Sequence, residues 1–319
     1  MTPISQEETQ RLLKLTSVAS VLTAFVLIAA KLAAWGFSGS VGLLASLVDS
    51  LMDAAASIIN LVAIRYALQP ADDEHRFGHG KAESLAGLGQ ATFIAGSAVF
   101  LFLHAIDRFM NPRDLKSPEI AVAVMLFSIF ATSLLLMLQR YTVRKTHSLA
   151  IKADSLHYAA DLLTNAGIVL AIFLAIVGWP GFDPLAGLAI SVFIFYSAFQ
   201  VAHESIQHLL DRELPDEEKE EIEKLVLEDA LVLGVHELRT RQSGPIKMIQ
   251  MHLELDGDMK LKQAHAIADS VERKLSQRFP GADVIIHQDP YGLKERHLLP
   301  GELLIDEAEA SESRSVNQP

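Results

Sequence analysis

The stretch GLLASLVDSLMDAAASIINLVAI, residues 42–64, is apolar and long enough to cross a lipid bilayer, yet it carries two acids, Asp49 and Asp53, in its middle. A spanning helix needs about 20 predominantly apolar residues, and each Asp at its centre costs roughly 2.5–3.5 kcal/mol on insertion scales. A span that keeps two such residues has a use for charge inside a bundle. Residues four apart on a helix are offset by about 40°, so the two carboxylates share a face.

The rest of the chain supports the membrane reading. Half of the 319 residues are hydrophobic and 21% are charged; the apolar residues gather in long runs, and the charges gather after residue 210. Six runs of spanning length fall near residues 14–36, 42–66, 84–108, 118–139, 149–177 and 183–207. Glycine and proline punctuate most of the breaks between them, as helix ends require. Arg11, Lys14, Arg65, Arg76, Lys81, Arg140, Arg144, Lys145 and Lys152 fall on one side of such a bundle, and Arg108, Arg113 and Lys116 on the other. The positive-inside rule then places both termini in the cytoplasm, a parity that six spans satisfy. The N-terminus, MTPISQEETQRLLK, lacks the apolar core and cleavage site of a signal peptide.

Composition excludes some chemistry. Cysteine is absent, so disulfides and thiolate metal sites are excluded. The net charge is −12, and with no concentrated basic face nucleic acid is not expected as a partner.

Beyond residue 210 the pattern changes. LPDEEKEEIEKLVLED reads as an amphipathic helix with an acidic first turn, and GVHELRTRQSGPIKMIQMHLELDGD as two strands joined at SGP. In the second strand Ile249, Met251, Leu253 and Leu255 alternate with polar residues, which buries one face. LKQAHAIADSVERKLSQRFP is helical and ADVIIHQDP a last strand, so the order is αββαβ, a small α+β domain. The expected layout is a membrane α-helical domain of six helices over residues 1–209, the α+β domain over 210–292, and an acidic, disordered tail over 293–319.

The pairing of Asp49 and Asp53 recurs. LHYAADLLTNAGIVLAI carries His157 and Asp161 four residues apart, and Asn165 continues their stripe. If the second and fifth helices touch, three carboxylates and one imidazole meet, the number of ligands a tetrahedral Zn²⁺ takes. A structural hydrogen-bond network and a proton-only relay are the competing readings. Lys31, the one lysine inside an apolar run, can pair with an acid, or snorkel to the interface from the far end of its helix. The loop ADDEHRFGHGKAE brings Asp72, His75 and His79 close in sequence, where a solvated charged loop is the alternative. In the α+β domain, strand periodicity puts His287 and Asp289 on one side of the last strand with Gln288 opposite or at the edge. His252 lies on the polar face of its strand, His236 begins the preceding strand and His265 sits on the following helix, a set suited to one or two metal ions.

These motifs resemble the cation diffusion facilitator family, in particular its dimeric bacterial zinc and iron(II) efflux branch. The resemblance runs from about residue 10 to residue 292 and is carried by LVDSLMD, QPADDEHRFGHGKAESLA, ADSLHYAADLLTN, LLDRELPDEE, HELRTRQSGP and DVIIHQDP. It implies a six-helix bundle with a metallochaperone-like cytoplasmic domain, acting as a homodimer in the bacterial inner membrane. It also implies a transport site of Asp49, Asp53, His157 and Asp161, and a loop site of Asp72, His75 and His79. His236, His252, His265, His287, Gln288 and Asp289 match a paired-metal site at the cytoplasmic contact of the dimer, and Lys81 and Asp211 match an interlocking salt bridge. The expected activity is efflux of Zn²⁺ in exchange for protons by alternating access, with Fe²⁺, Cd²⁺ or Mn²⁺ tolerated by so oxygen-rich a site. An enzyme using the metal to activate water would need an open coordination position and a separate base. No HExxH or similar arrangement appears, so an enzyme is not expected.

Overall fold

A computed structural model describes residues 5–38, 41–110, 119–176 and 182–292. Residues 111–118 and 177–181, and with them Arg113 and Lys116, lie outside the described residues, as does the tail expected over 293–319.

Six long helices come first: α1 (Gln6–Ser38), α2 (Val41–Ala67), α3 (Lys81–Met110), α4 (Glu119–Thr146), α5 (Leu149–Ile176) and α6 (Phe182–Leu209). Among the described residues, five of them, α1 to α4 and α6, qualify as long and apolar enough to cross a membrane, and α5 is as long and as apolar as its neighbours. α5 packs against each of the other five helices, so it is the interior helix and can carry Lys152, Asp154, His157 and Asp161 without presenting them to lipid. The outer surface is apolar instead, with Leu22, Phe25, Phe100, Phe130, Met137 and Phe193 exposed. Small residues let the helices approach. A Cβ on Gly187 of α6 would stand 3.1 Å from that of Ala105 on α3, and one on Gly87 of α3 would stand 3.0 Å from Ser205 Oγ on α6.

Polar side chains close inside the bundle rather than on its surface. Thr16 and Thr142 share a hydrogen bond of 2.6 Å, and Tyr158 Oη meets Ser57 Oγ at 3.0 Å and donates to the Ser20 carbonyl at 3.1 Å. Asp154 is fully buried and accepts from Ser20 Oγ (2.6 Å), Gln139 Nε2 (2.8 Å) and Gln90 Nε2 (3.1 Å). One carboxylate thereby ties α5 to α1, α4 and α3.

The C-terminal domain follows as α7 (Asp216–Leu227), β1 (Gly234–Ser243), β2 (Ile246–Leu255), α8 (Leu261–Arg278) and β3 (Asp283–Pro290). The sheet order is β1-β2-β3, antiparallel across the hairpin and parallel between β2 and β3. The hairpin turns at Gly244, whose φ of 57° suits a residue without Cβ. The core lies between the sheet and its helices: Ile249, Met251, Leu253 and Leu255 of β2 pack against Ile222 and Val226 of α7 and Ile267, Val271 and Leu275 of α8. Among the described residues no helix is packed on the opposite face, which carries Gln250, His252, Glu254 and His287.

The two parts of the chain touch through the α2–α3 loop. Lys81 Nζ lies 3.0 Å from Asp211, Arg241 Nη1 lies 3.1 Å from Asp211, and the Arg241 guanidinium sits over the Phe77 ring at 5.2 Å. A Cβ on Gly80 would stand 2.2 Å from the Ser243 carbonyl oxygen, so the backbone of the loop rests directly on the β1–β2 turn.

Candidate metal sites

α2 and α5 touch, and where they do His157 Nε2 stands 3.0 Å from Asp53 Oδ1 and 3.7 Å from Asp161 Oδ2. Ligands held about 2.0–2.1 Å from a tetrahedral ion stand about 3.3 Å from one another, a value these two separations bracket. Nε2 of His157 is buried and makes no hydrogen bond despite the nearby oxygens. The contact therefore falls short of N–H···O alignment, while the nitrogen and the two oxygens are near enough to share one ion. These three residues place ligand atoms within 4.8 Å of one another. Asp49, one turn away on α2, lines the same cavity of about 540 Å³ with Lys31 and Asn165, but stands outside the tight cluster.

The loop residues also meet. Asp72 Oδ1 is 3.2 Å from His75 Nδ1, and Asp72 Oδ2 is 3.2 Å from His79 Nε2. Local backbone builds this arrangement. The amides of His75 and Glu74 donate to Asp72 Oδ1 at 2.6 and 3.0 Å, and Gly78 turns the chain with φ 78°. Those amides, His75 first, hold the exposed Asp72 carboxyl below the usual carboxylate range. His79 is buried against the edge of Tyr66, with Nδ1 unpartnered.

In the C-terminal domain strand register makes the third cluster. His236 faces His252 across the β1–β2 pair, and His252 faces His287 across β2–β3, so three imidazoles form a row on the open side of the sheet. Asp289 serves all three. Its Oδ2 lies 2.8 Å from His252 Nδ1 and 3.3 Å from His236 Nε2, and its Oδ1 lies 3.0 Å from His287 Nε2. Burial pushes the Asp289 carboxyl up, but the His252 hydrogen bond and the flanking imidazoles outweigh it, and the group sits below its ordinary value. A bulge between His236 and Arg239 puts Glu237 at φ 48°, with Oε2 3.8 Å from His252. Glu254 Oε1 approaches His236 Nδ1 at 3.0 Å.

Two of the six residues expected in this cluster are not brought to it within one chain. His265 is exposed beside Asp269 on α8, the helix that covers the other side of the sheet. Gln288 pairs in register with Leu253, on the core side of β2.

Residues 17–210 match the family described as cation efflux transmembrane domain, and residues 214–291 match cation efflux protein, cytoplasmic domain. The chain belongs to the cation efflux family, whose members are transporters and not enzymes. It is 49% identical over 286 residues to the cation-efflux pump FieF of Citrobacter koseri, covering 90% of this chain and 95% of that one. It is 51% identical over 280 residues to FieF of Serratia proteamaculans, covering 88% and 93%. The metal-bound C-terminal domain of the CzcD transporter from Thermotoga maritima is 28% identical over 26% of this chain and all of that one, with a TM-score of 0.24.

Sequence reasoning missed or misjudged several residues here. Lys31 does not snorkel. It is buried, and its ammonium donates to Ser50 Oγ at 2.6 Å and to the Ser46 carbonyl at 3.1 Å, on the cavity side of α2. Asp154 stands in ADSLHYAADLLTN, where spacing alone gives it no role. Glu237 and Glu254 leave no signal in sequence, because alternation alone does not reveal a bulge or a register.

Proposed function

We propose that the protein exports divalent metal ions, Zn²⁺ foremost and Fe²⁺, Cd²⁺ or Mn²⁺ by tolerance, in exchange for protons. It acts as a homodimer in the bacterial inner membrane, with both termini in the cytoplasm. One observation carries the reading: the convergence of Asp53, His157 and Asp161 across the α2–α5 contact, inside a cavity that Asp49 also lines. Three carboxylates and an imidazole are a hard, anionic set that suits a divalent ion. The ion binds when these groups are deprotonated, so protons from the far side compete it away after the cavity reorients. An empty cavity with every carboxylate ionised is costly in apolar surroundings, which disfavours return without protons and couples the two fluxes.

The loop and C-terminal clusters lie off any path through the bundle, and we assign them structural or regulatory metal. His265 and Gln288 then serve across the dimer, where a second copy can bring them to a histidine row. The test is flux of Zn²⁺, Fe²⁺, Cd²⁺ and Mn²⁺ by the purified protein in proteoliposomes under an imposed pH gradient. Asp53→Ala should abolish proton-driven flux; normal flux by that variant overturns the reading.

A further inference from the structure

Lysine is rarely kept inside a bundle without a purpose, and the position of Lys31 is specific. It reaches from α1 across to α2, where Ser46 and Ser50 hold its ammonium. Those two residues stand four apart on α2, beside the Asp49–Asp53 stripe, and Lys31 lines the same cavity as both acids, His157 and Asp161. The hydroxyl and carbonyl that hold it are neutral, and among the described residues no carboxylate forms an ion pair with the ammonium.

We propose that Lys31 is a tethered counter-cation of the transport cavity, which sets how loosely the divalent ion is held. The inference rests on the transport-site reading above. With His157 neutral, the three carboxylates are balanced by one divalent ion and this one ammonium together, so the loaded cavity carries no net charge. A neutral loaded cavity can change conformation within hydrocarbon at the least electrostatic cost. The same ammonium repels the bound ion, and release is faster for it. The residue therefore trades affinity for turnover, and neutral side chains of similar length tip the balance the other way.

The experiment compares wild type, Lys31→Met, Lys31→Gln and Lys31→Arg as full-length protein in proteoliposomes, with Zn²⁺ as the probe. At the effective dielectric of protein interiors, loss of the nearby unit charge should lower KM at least about tenfold. Turnover at saturating Zn²⁺ should fall with it, and Lys31→Arg should stay within about threefold of wild type, because a fixed charge is kept. A residue that merely props α1 against α2 would raise KM or leave it alone when removed. An unchanged or higher KM in the neutral variants overturns the proposal, as does Lys31→Arg behaving like Lys31→Met.

Should the neutral variants fail to fold, Lys31→Met combined with Asp49→Asn removes one charge of each sign and is compared with Asp49→Asn alone. A lower KM in the pair supports the counter-cation, and an equal or higher one overturns it. Asp53→Ala run alongside separates the two readings. Its normal flux would sink the transport site itself, whereas its loss of flux with no fall of KM in the Lys31 variants would sink only the counter-cation.

Discussion

The bundle and the C-terminal domain use the same residue types, Asp and His, in opposite settings. In the bundle they are enclosed by helices whose outer faces are apolar, and polar contacts such as Asp154 with Ser20, Gln90 and Gln139 close inward. In the C-terminal domain the core is apolar, and the histidine row lies on the uncovered face of a sheet. A charged group among helices at lipid depth has no water to fall back on, so its partners decide whether it is tolerated. On an open sheet face the groups keep water as an alternative, and a metal bound there can come and go without disturbing the core. On the proposed reading, the contrast separates a site that must be filled or protonated from one that is free to be empty.

The largest effect should come from crossing the two regions. His157→Ala should cut proton-driven Zn²⁺ flux by at least about a hundredfold, while zinc binding by the C-terminal cluster is unchanged in calorimetry of the full-length protein. Asp289→Ala should do the converse, weakening zinc binding at the histidine row by about ten- to a hundredfold with flux retained. If either variant lost both properties equally, the separation would be broken.

Acidity sharpens the same comparison. Because the Asp289 carboxyl is held below its ordinary value, its contribution is complete above about pH 4 and is lost only as pH falls through the depressed value. Zinc binding should therefore keep its dependence on this carboxylate at every pH above about 4, so Asp289→Asn should weaken it by a similar factor in mildly acidic and in mildly alkaline buffer. A penalty that vanishes in the mildly acidic buffer in calorimetry would contradict this.

Metal choice should respond next. Asp49→His makes the bundle site two imidazoles and two carboxylates, a softer set, and should exclude Cd²⁺ relative to Zn²⁺ in competition flux assays. An unchanged ratio would refute the assignment of Asp49.

Contact between the regions gives the smaller effects. Gly80→Ala would drive a methyl into the Ser243 carbonyl and should cost about 1–3 kcal/mol, seen as faster hydrogen exchange in the β1–β2 turn. Lys81→Ala should cost less than about 1 kcal/mol in thermal unfolding, because its pair with Asp211 is part exposed and such pairs are screened.

How much of this was legible depended on which physical signal each feature leaves in sequence. Six helices could be read because hydrocarbon selects apolar runs, and the αββαβ order because alternation in β2 is regular. Some helices extend well beyond their apolar runs. α1 begins at Gln6 and α4 continues to Thr146, since hydropathy records the thickness of the hydrocarbon and not the length of the helix. The Asp53–His157 contact followed from matched spacing on two helices. The inward turn of Lys31 did not, because which way a side chain points depends on how its helix is rotated against a neighbour. The histidine row depended on strand register, which no single strand encodes.

The seam between α2 and α5 is slim beside the long contacts α5 makes with α4 and α6. A divalent ion lodged between Asp53 and His157 would work there like a rivet, adding to the clasps of Ser57 with Tyr158 and of Asn60 with the Ala150 carbonyl. Its withdrawal would loosen the two rods, and the cargo would then be a fastener of the machine that moves it.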